Sequence, residues 1–319
     1  MIVTEKDSWL RMIFAVHGTT FDKIWPRFLV VVSFSIVTTL ISYYFPDHKF
    51  TLTMAPFTVV GLAIAIFLGF RNNASYDRYW EGRKLWGRMV NVCRSFTMQV
   101  NTLVDGTNPD ANATDESVTV AQRRRMIELT IAYINAVRHR LRDTDATDEL
   151  MLRLHDDPKL QSYLAQDNIP AAVAAEISNC IQAAWKSGTL NTYHVPILHT
   201  SLTEMLAIQG GCERIRSTPI PFTYSVLTHR TVLLYCLALP CGLHDTVGLL
   251  TPVVVGLVAY AFLGLDAVGD EIEQPFSVDD NDLPLLFLTT MIERNMRQMS
   301  GYPAEELPAP VEPVDHLLI

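Results

Sequence analysis

Charge is scarce in this sequence. Only 18% of its 319 residues are Asp, Glu, Lys or Arg, against the roughly 25% usual for soluble globular domains. The net charge is −9, and no basic, aromatic-interleaved stretch occurs outside the flanks of the apolar runs, which argues against nucleic-acid binding. Cysteine is also sparse. The five thiols (Cys93, Cys180, Cys212, Cys236 and Cys241) include no CxxC pair and are odd in number, which argues against a zinc ribbon and a disulfide framework. They read as reduced, packing thiols. HExxH, GxSxG and a glycine-rich phosphate loop are all missing, so no ordered catalytic constellation is present. His194 and His199 are five apart and fall on different helix faces, a poor metal pair. Glu204, Glu213, Asp266, Asp270, Glu271 and Glu273 are available to a membrane-bound enzyme, yet no motif orders them. The first thirty residues carry seven charged side chains from Glu5 to Arg27 and no small-residue cleavage site, so no cleavable signal peptide is expected.

Long apolar runs are what the sequence has in place of charge. Four could cross a bilayer: 28–45, 53–70, 224–243 and 247–265. A spanning helix needs about 20 mostly apolar residues, and these runs lack the polar face of a helix on a soluble core. The third run contains His229 and Arg230. A mid-membrane arginine costs about 2.5 kcal/mol or more, so Arg230 is expected at a membrane boundary or against protein.

The loops set the orientation. The links after the first and third runs hold one lysine (Lys49) and no basic residue, respectively. Lys23 and Arg27 precede the first run, and Arg71, Arg78, Arg83, Lys84, Arg88 and Arg94 follow the second. The positive-inside rule then puts both termini and the middle segment in the cytoplasm. The expected organisation is a cytoplasmic N-terminal segment (1–27), two spans, a cytoplasmic helical region (71–223), two more spans, a cytoplasmic helical region (266–301) and a flexible proline-rich tail (302–319). Leu85, Met89, Val92, Phe96, Val100 and Leu103 recur at helical steps, whereas 105–119 is rich in turn formers and reads as a loop. Further helices are expected over 123–142, 170–187 and 195–209, the last two with a proline near their start, where its missing N–H costs little.

The second run carries the most pointed pattern. Leu62, Ile66 and Phe70 are four residues apart and share one helix face. Gly61, Ala63, Ala65 and Gly69 permit close helix approach. No charged residue lies between Thr53 and Phe70, unlike an ion-driven transporter, which usually needs an intramembrane ionisable group. The face could meet lipid or another helix, or line an apolar pore that gates by drying.

Downstream lies an aromatic and basic stretch, RNNASYDRYWEGRKLWG from Arg71 to Gly87, suited to the bilayer edge. Its wording resembles the bestrophin family, particularly the bacterial branch. Further matching segments are GCERI from Gly211, TPIPF from Thr218, HRT from His229, GLDA from Gly264, GDE from Gly269, QPF from Gln274 and NDLP from Asn281. The resemblance covers the chain to about residue 295. It implies an all-α integral membrane protein and a homopentamer around one pore, in the bacterial inner membrane. It further implies a neck at Leu62, Ile66 and Phe70, and a cytoplasmic aperture within His194, Val195 and Ile197. Animal bestrophins resemble anion channels and bacterial ones favour monovalent cations. The bacterial wording and acidic balance here favour cations, with an anion (chloride) channel or a non-conducting scaffold as alternatives. Animal members also bind calcium through an acidic cluster after a Pro-Phe. Here Pro275-Phe276 precedes Asp279, Asp280 and Asp282, and Asp279 and Asp282 could supply hard oxygen ligands, though the cluster is thinner and also fits a solvated turn.

Overall fold

The computed structural model describes residues 1, 19–45, 52–105, 116–314 and 316–318. The described residues are helical, with only two isolated β-bridges and no strand. The helices are α1 (Phe21–Tyr44), α2 (Met54–Leu103), α3 (Glu116–Arg142), α4 (Thr147–Arg153), α5 (Leu160–Leu164), α6 (Ile169–Lys186), α7 (Val195–Ser217), α8 (Phe222–Val247), α9 (Thr251–Glu273) and α10 (Leu285–Met299). Most of the 105–119 loop lies outside the described residues.

Helix α2 organises the molecule. Proline is absent from 57 to 108, so nothing removes a backbone donor, and the helix runs unbroken for 50 residues. That is about 75 Å, against roughly 30 Å of bilayer hydrocarbon. Its apolar character ends near Phe70; its helicity does not. The first part packs with α8 and α9 around Ile64, Val232, Cys236 and Val255, and α1 packs on α8 and α9 to complete that core. The remainder packs with α7 and α10, and the core extends through α3 and α6 around Trp86, Phe96, Ile131 and Ile177. Two hydrophobic cores are thus threaded on one rod.

Three helical stretches are long and apolar enough to cross a membrane: α1, α2 and the 52 residues from Phe222 to Glu273. The last folds back on itself. Gly248 has φ +60°, a conformation that strains residues with a Cβ, and separates α8 from α9. Tyr235 meets Phe262 edge-on at 5.6 Å, and His229 reaches Asp266. These paired levels make α8 and α9 an antiparallel hairpin. Close approach decides the α2–α8 seam: a Cβ on Gly61 would sit 2.6 Å from the Tyr235 hydroxyl.

The proline-rich tail, read in the sequence as a flexible arm, is held at several points. Arg124 and Arg297 lie over the Tyr302 ring at 4.9 and 5.1 Å. Arg294 donates to the Pro308 carbonyl at 2.8 Å, and Arg124 pairs with Glu306 at 2.6 Å. All five cysteines are free. Burial pushes the Cys93 and Cys212 thiols up to about 12, so both are unreactive packing groups.

Candidate functional site: the outward face of α2 and its surroundings

The membrane part of α2 has two unlike sides. Phe57, Gly61, Ile64, Leu68, Arg71 and Ser75 are buried against the bundle. Leu62, Ile66 and Phe70 point away from it, with 64%, 50% and 63% of their surface exposed. The fold therefore brings the three residues onto one uncovered apolar stripe. Val59, seven residues before Ile66, belongs to the same stripe and is exposed with it.

The segment containing His194, Val195 and Ile197 starts α7. Helix α7 runs antiparallel to α2: Arg78 donates to the Ile215 carbonyl, Arg88 pairs with Glu204, and Ser201 donates to Gln99 at 2.8 Å. A bridge between Val104 and Leu190 ties the segment before α7 to the far end of α2. Ile66 and Gln99 are thus about 50 Å apart along one helix, so the 194–197 segment lies far from the apolar stripe. Ile197 is 42% exposed, whereas His194 and Val195 are half-buried and Val195 packs against the core. The His194 Nδ1 is buried without a hydrogen-bond partner.

Directly below Phe70 a charged cluster locks α2 to the hairpin. Arg71 is 1% exposed. Its guanidinium pairs with Asp266 at 2.8 Å and with Asp270, and lies 3.9 Å from Glu273. His229 Nδ1 stands 2.6 Å from Asp266 Oδ2. His229, Asp266 and Asp270 present ligand atoms close enough together to hold a metal, but Arg71 already supplies the cation between the two carboxylates. Next along, Arg78 donates to the carbonyls of Glu273, Thr218 and Ile215, clamping three chain segments. Sequence reasoning found these acids without ordering them. The available signal was the 266, 270, 273 spacing, which places them along one side of α9. Arg230 does not join the cluster; it is exposed on α8.

Asp279 and Asp282 do come together. The turn after α9 closes with Asp282 N–H on the Asp279 carbonyl at 3.0 Å and Asp279 N–H on Asp282 Oδ2 at 2.8 Å. Asp282 is 2% exposed, and its Oδ1 is buried without a partner. Burial, reinforced by Asp279 and Glu271, pushes the Asp282 carboxyl up to about 7. Two participants escaped the sequence reading. Glu271 accepts from Asn281 at 2.8 Å, and Lys23 of α1 reaches Asp279 at 3.2 Å and Glu271 at 3.7 Å. The orphaned Oδ1 of Asp282 is a hard oxygen of the type a calcium ion takes, while the Lys23 ammonium already stands between Asp279 and Glu271.

Known proteins resemble this chain over almost its full length. Residues 1–298 match the family model described as bacterial/fungal bestrophin protein. A protein of Ralstonia nicotianae named voltage-dependent anion channel-forming protein RSc3414 is 38% identical over 304 residues, covering 95% of this chain and 96% of that one. The voltage-dependent anion channel-forming protein YneE of Escherichia coli K12 is 36% identical over 316 residues, 99% of each. The crystal structure of a bacterial bestrophin homolog from Klebsiella pneumoniae superposes with a TM-score of 0.80 at 33% identity, over 88% of this chain and 99% of that one. The chain belongs to the bacterial and fungal bestrophin family, whose members are ion channels and not enzymes.

Proposed function

We propose that this chain forms a homopentameric channel that passes monovalent ions passively, with cations preferred, through a neck made by Leu62, Ile66 and Phe70. The observation that carries the reading is the uncovered apolar stripe on α2, opposite the face that the chain's own helices bury. One α2 helix cannot enclose water, but five copies related by a rotation axis can. Three apolar rings in series form a constriction that tends to dry, because an ion there loses its hydration without gaining ligands.

Four spans are proposed, near 28–45, 53–70, 224–243 and 247–265. The support for the last two is the antiparallel α8–α9 hairpin, whose apical link lacks basic residues. An even number of spans puts both termini on one side, which the basic residues before α1 and after Phe70 mark as cytoplasmic. We assign the inner membrane because the spans are helices and not the strands of an outer-membrane barrel. The long cytoplasmic part of α2 would then surround a vestibule closed at the far end by a second constriction. Ile197 is the best-exposed candidate there, with His194 and Val195 behind it.

The acidic balance of the chain supports cation preference. The names of the relatives, voltage-dependent anion channel-forming proteins, favour the second reading, an anion channel of the same fold. The Asp279–Asp282 turn, with Glu271, is proposed as a calcium site. Recording from the purified protein in a planar bilayer, with mass measurement of the detergent-solubilised particle, tests the proposal. Discrete unitary currents from a pentamer with a potassium-directed reversal potential are expected. A stable monomer or dimer, or a silent bilayer, would overturn the channel reading, and a chloride-directed potential would favour the anion reading.

A further inference from the structure

The neck itself cannot choose between cations and anions, since uncharged apolar rings select weakly. Fixed charges close to it can supply a preference, in addition to any set at the second constriction. The charged residues of α2 below Phe70 are mostly committed elsewhere. Arg71 is buried against Asp266 and Asp270. Arg78 turns to backbone carbonyls of other segments. Glu81 pairs with Arg214 at 2.5 Å, and Arg88 with Glu204. Asp77 differs: it is exposed, and among the described residues it makes no hydrogen bond or ion pair. It stands seven residues after Phe70, two helical turns down the same face.

We infer that Asp77 is the residue that sets ion preference, by placing a ring of free carboxylates in the vestibule about 10 Å below the Phe70 ring. This rests on the reading of the α2 stripe as pore lining. Opposing charges sit farther away: Arg83 is exposed with no ion pair among the described residues, and so is Lys84, seven residues beyond Asp77. Both lie about 20 Å from Phe70. Screening over about 10 Å at 0.1 M salt makes the nearer ring dominate at the neck. Five carboxylates acting over about 10 Å through screened water raise the cation-to-anion ratio there by about tenfold. The direction follows from sign alone, as cations are concentrated at the inner mouth and anions depleted.

The test is the reversal potential of reconstituted channels in a KCl gradient with about 0.1 M salt on the cytoplasmic side. Asp77→Asn is expected to lower the potassium-to-chloride permeability ratio by about tenfold. Asp77→Glu is expected to keep the parent value, Asp77→Lys to invert the preference, and Lys84→Gln to shift it less than Asp77→Asn does. Raising the salt should shrink every difference. A chloride-preferring parent would overturn the inference. So would Asp77→Asn and Asp77→Lys channels that reverse where the parent does. If those variants are unchanged while the combined Leu62→Ala, Ile66→Ala and Phe70→Ala channel conducts differently, only the Asp77 assignment fails. If the neck variant is unchanged as well, the pore-face reading fails with it.

Discussion

Asp282→Asn should make the metal-free protein more stable above neutral pH. The folded Asp282 carboxyl is raised from 3.8 to about 7, first by burial and then by the nearby negative charges of Asp279 and Glu271. A folded group that holds its proton to higher pH than the unfolded one stabilises the fold only while it is protonated. Its contribution is therefore full below about pH 4, fades between about pH 4 and pH 7, and is gone above. The gap corresponds to about 4 kcal/mol as an upper figure. Asparagine cannot ionise, and its carbonyl can still accept the Asp279 N–H that now closes the turn. The variant should thus match the parent only near pH 4, already melt slightly higher at pH 5, and melt higher by on the order of 5 °C at pH 8. The assay is thermal unfolding of detergent-purified protein from pH 5 to 8 with a chelator present. Curves for parent and variant that stay parallel across this range would refute the reasoning, since the buried carboxylate would then carry no penalty.

Three further outcomes follow from the same geometry. Arg71→Met should cost about 3–5 kcal/mol, because it strands Asp266 and Asp270 beside His229 without their cation. Detergent melting checks it, and the combination Arg71→Met with Asp266→Asn should recover part of the loss. Gly61→Ala should destabilise by about 1–3 kcal/mol through the Tyr235 hydroxyl, and Tyr235→Phe in the same chain should relieve it, as melting of both variants will show. Calcium at about one hundred times its dissociation constant should stabilise the parent by about 2.7 kcal/mol. The gain should grow as pH rises through 7 and Asp282 ionises, and it should vanish in Asp279→Ala with Asp282→Ala. A parent melting temperature that calcium leaves unmoved would remove the metal reading.

What was legible in the sequence was local. The four-residue spacing of Leu62, Ile66 and Phe70 set their common face before any contact was known, and the same periodicity from Leu85 to Leu103 marked the buried side of the rod. The sequence reading also cut α2 at Phe70, where hydropathy falls. Helicity depends on backbone donors and propensity, and nothing at Arg71–Asn73 interrupts either. Contacts between distant segments were out of reach. Arg71 and Asp266 are almost two hundred positions apart, and only the antiparallel hairpin at Gly248 brings α9 beside α2. Lys23 and Glu271 were missed at the acidic turn for the same reason: one comes from the start of α1 and the other from the end of α9. The aperture was placed only to within four residues, and burial rather than pattern separates Ile197 from Val195.

The central claim is that the uncovered stripe of α2 lines and gates a pore, and single-channel recording of the combined Leu62→Ala, Ile66→Ala and Phe70→Ala protein tests it most directly. Shorter side chains widen and wet the constriction, so a correctly assembled variant should show raised conductance or open probability with little change in ion preference. Leu68→Ala, on the buried side of the same helix, should act mainly through packing and leave unitary conductance near the parent value. Val59 is unsuitable as that control because it shares the stripe. A triple variant that assembles as the parent does and conducts as the parent does would contradict the account, leaving Leu62, Ile66 and Phe70 as a packing surface rather than a gate.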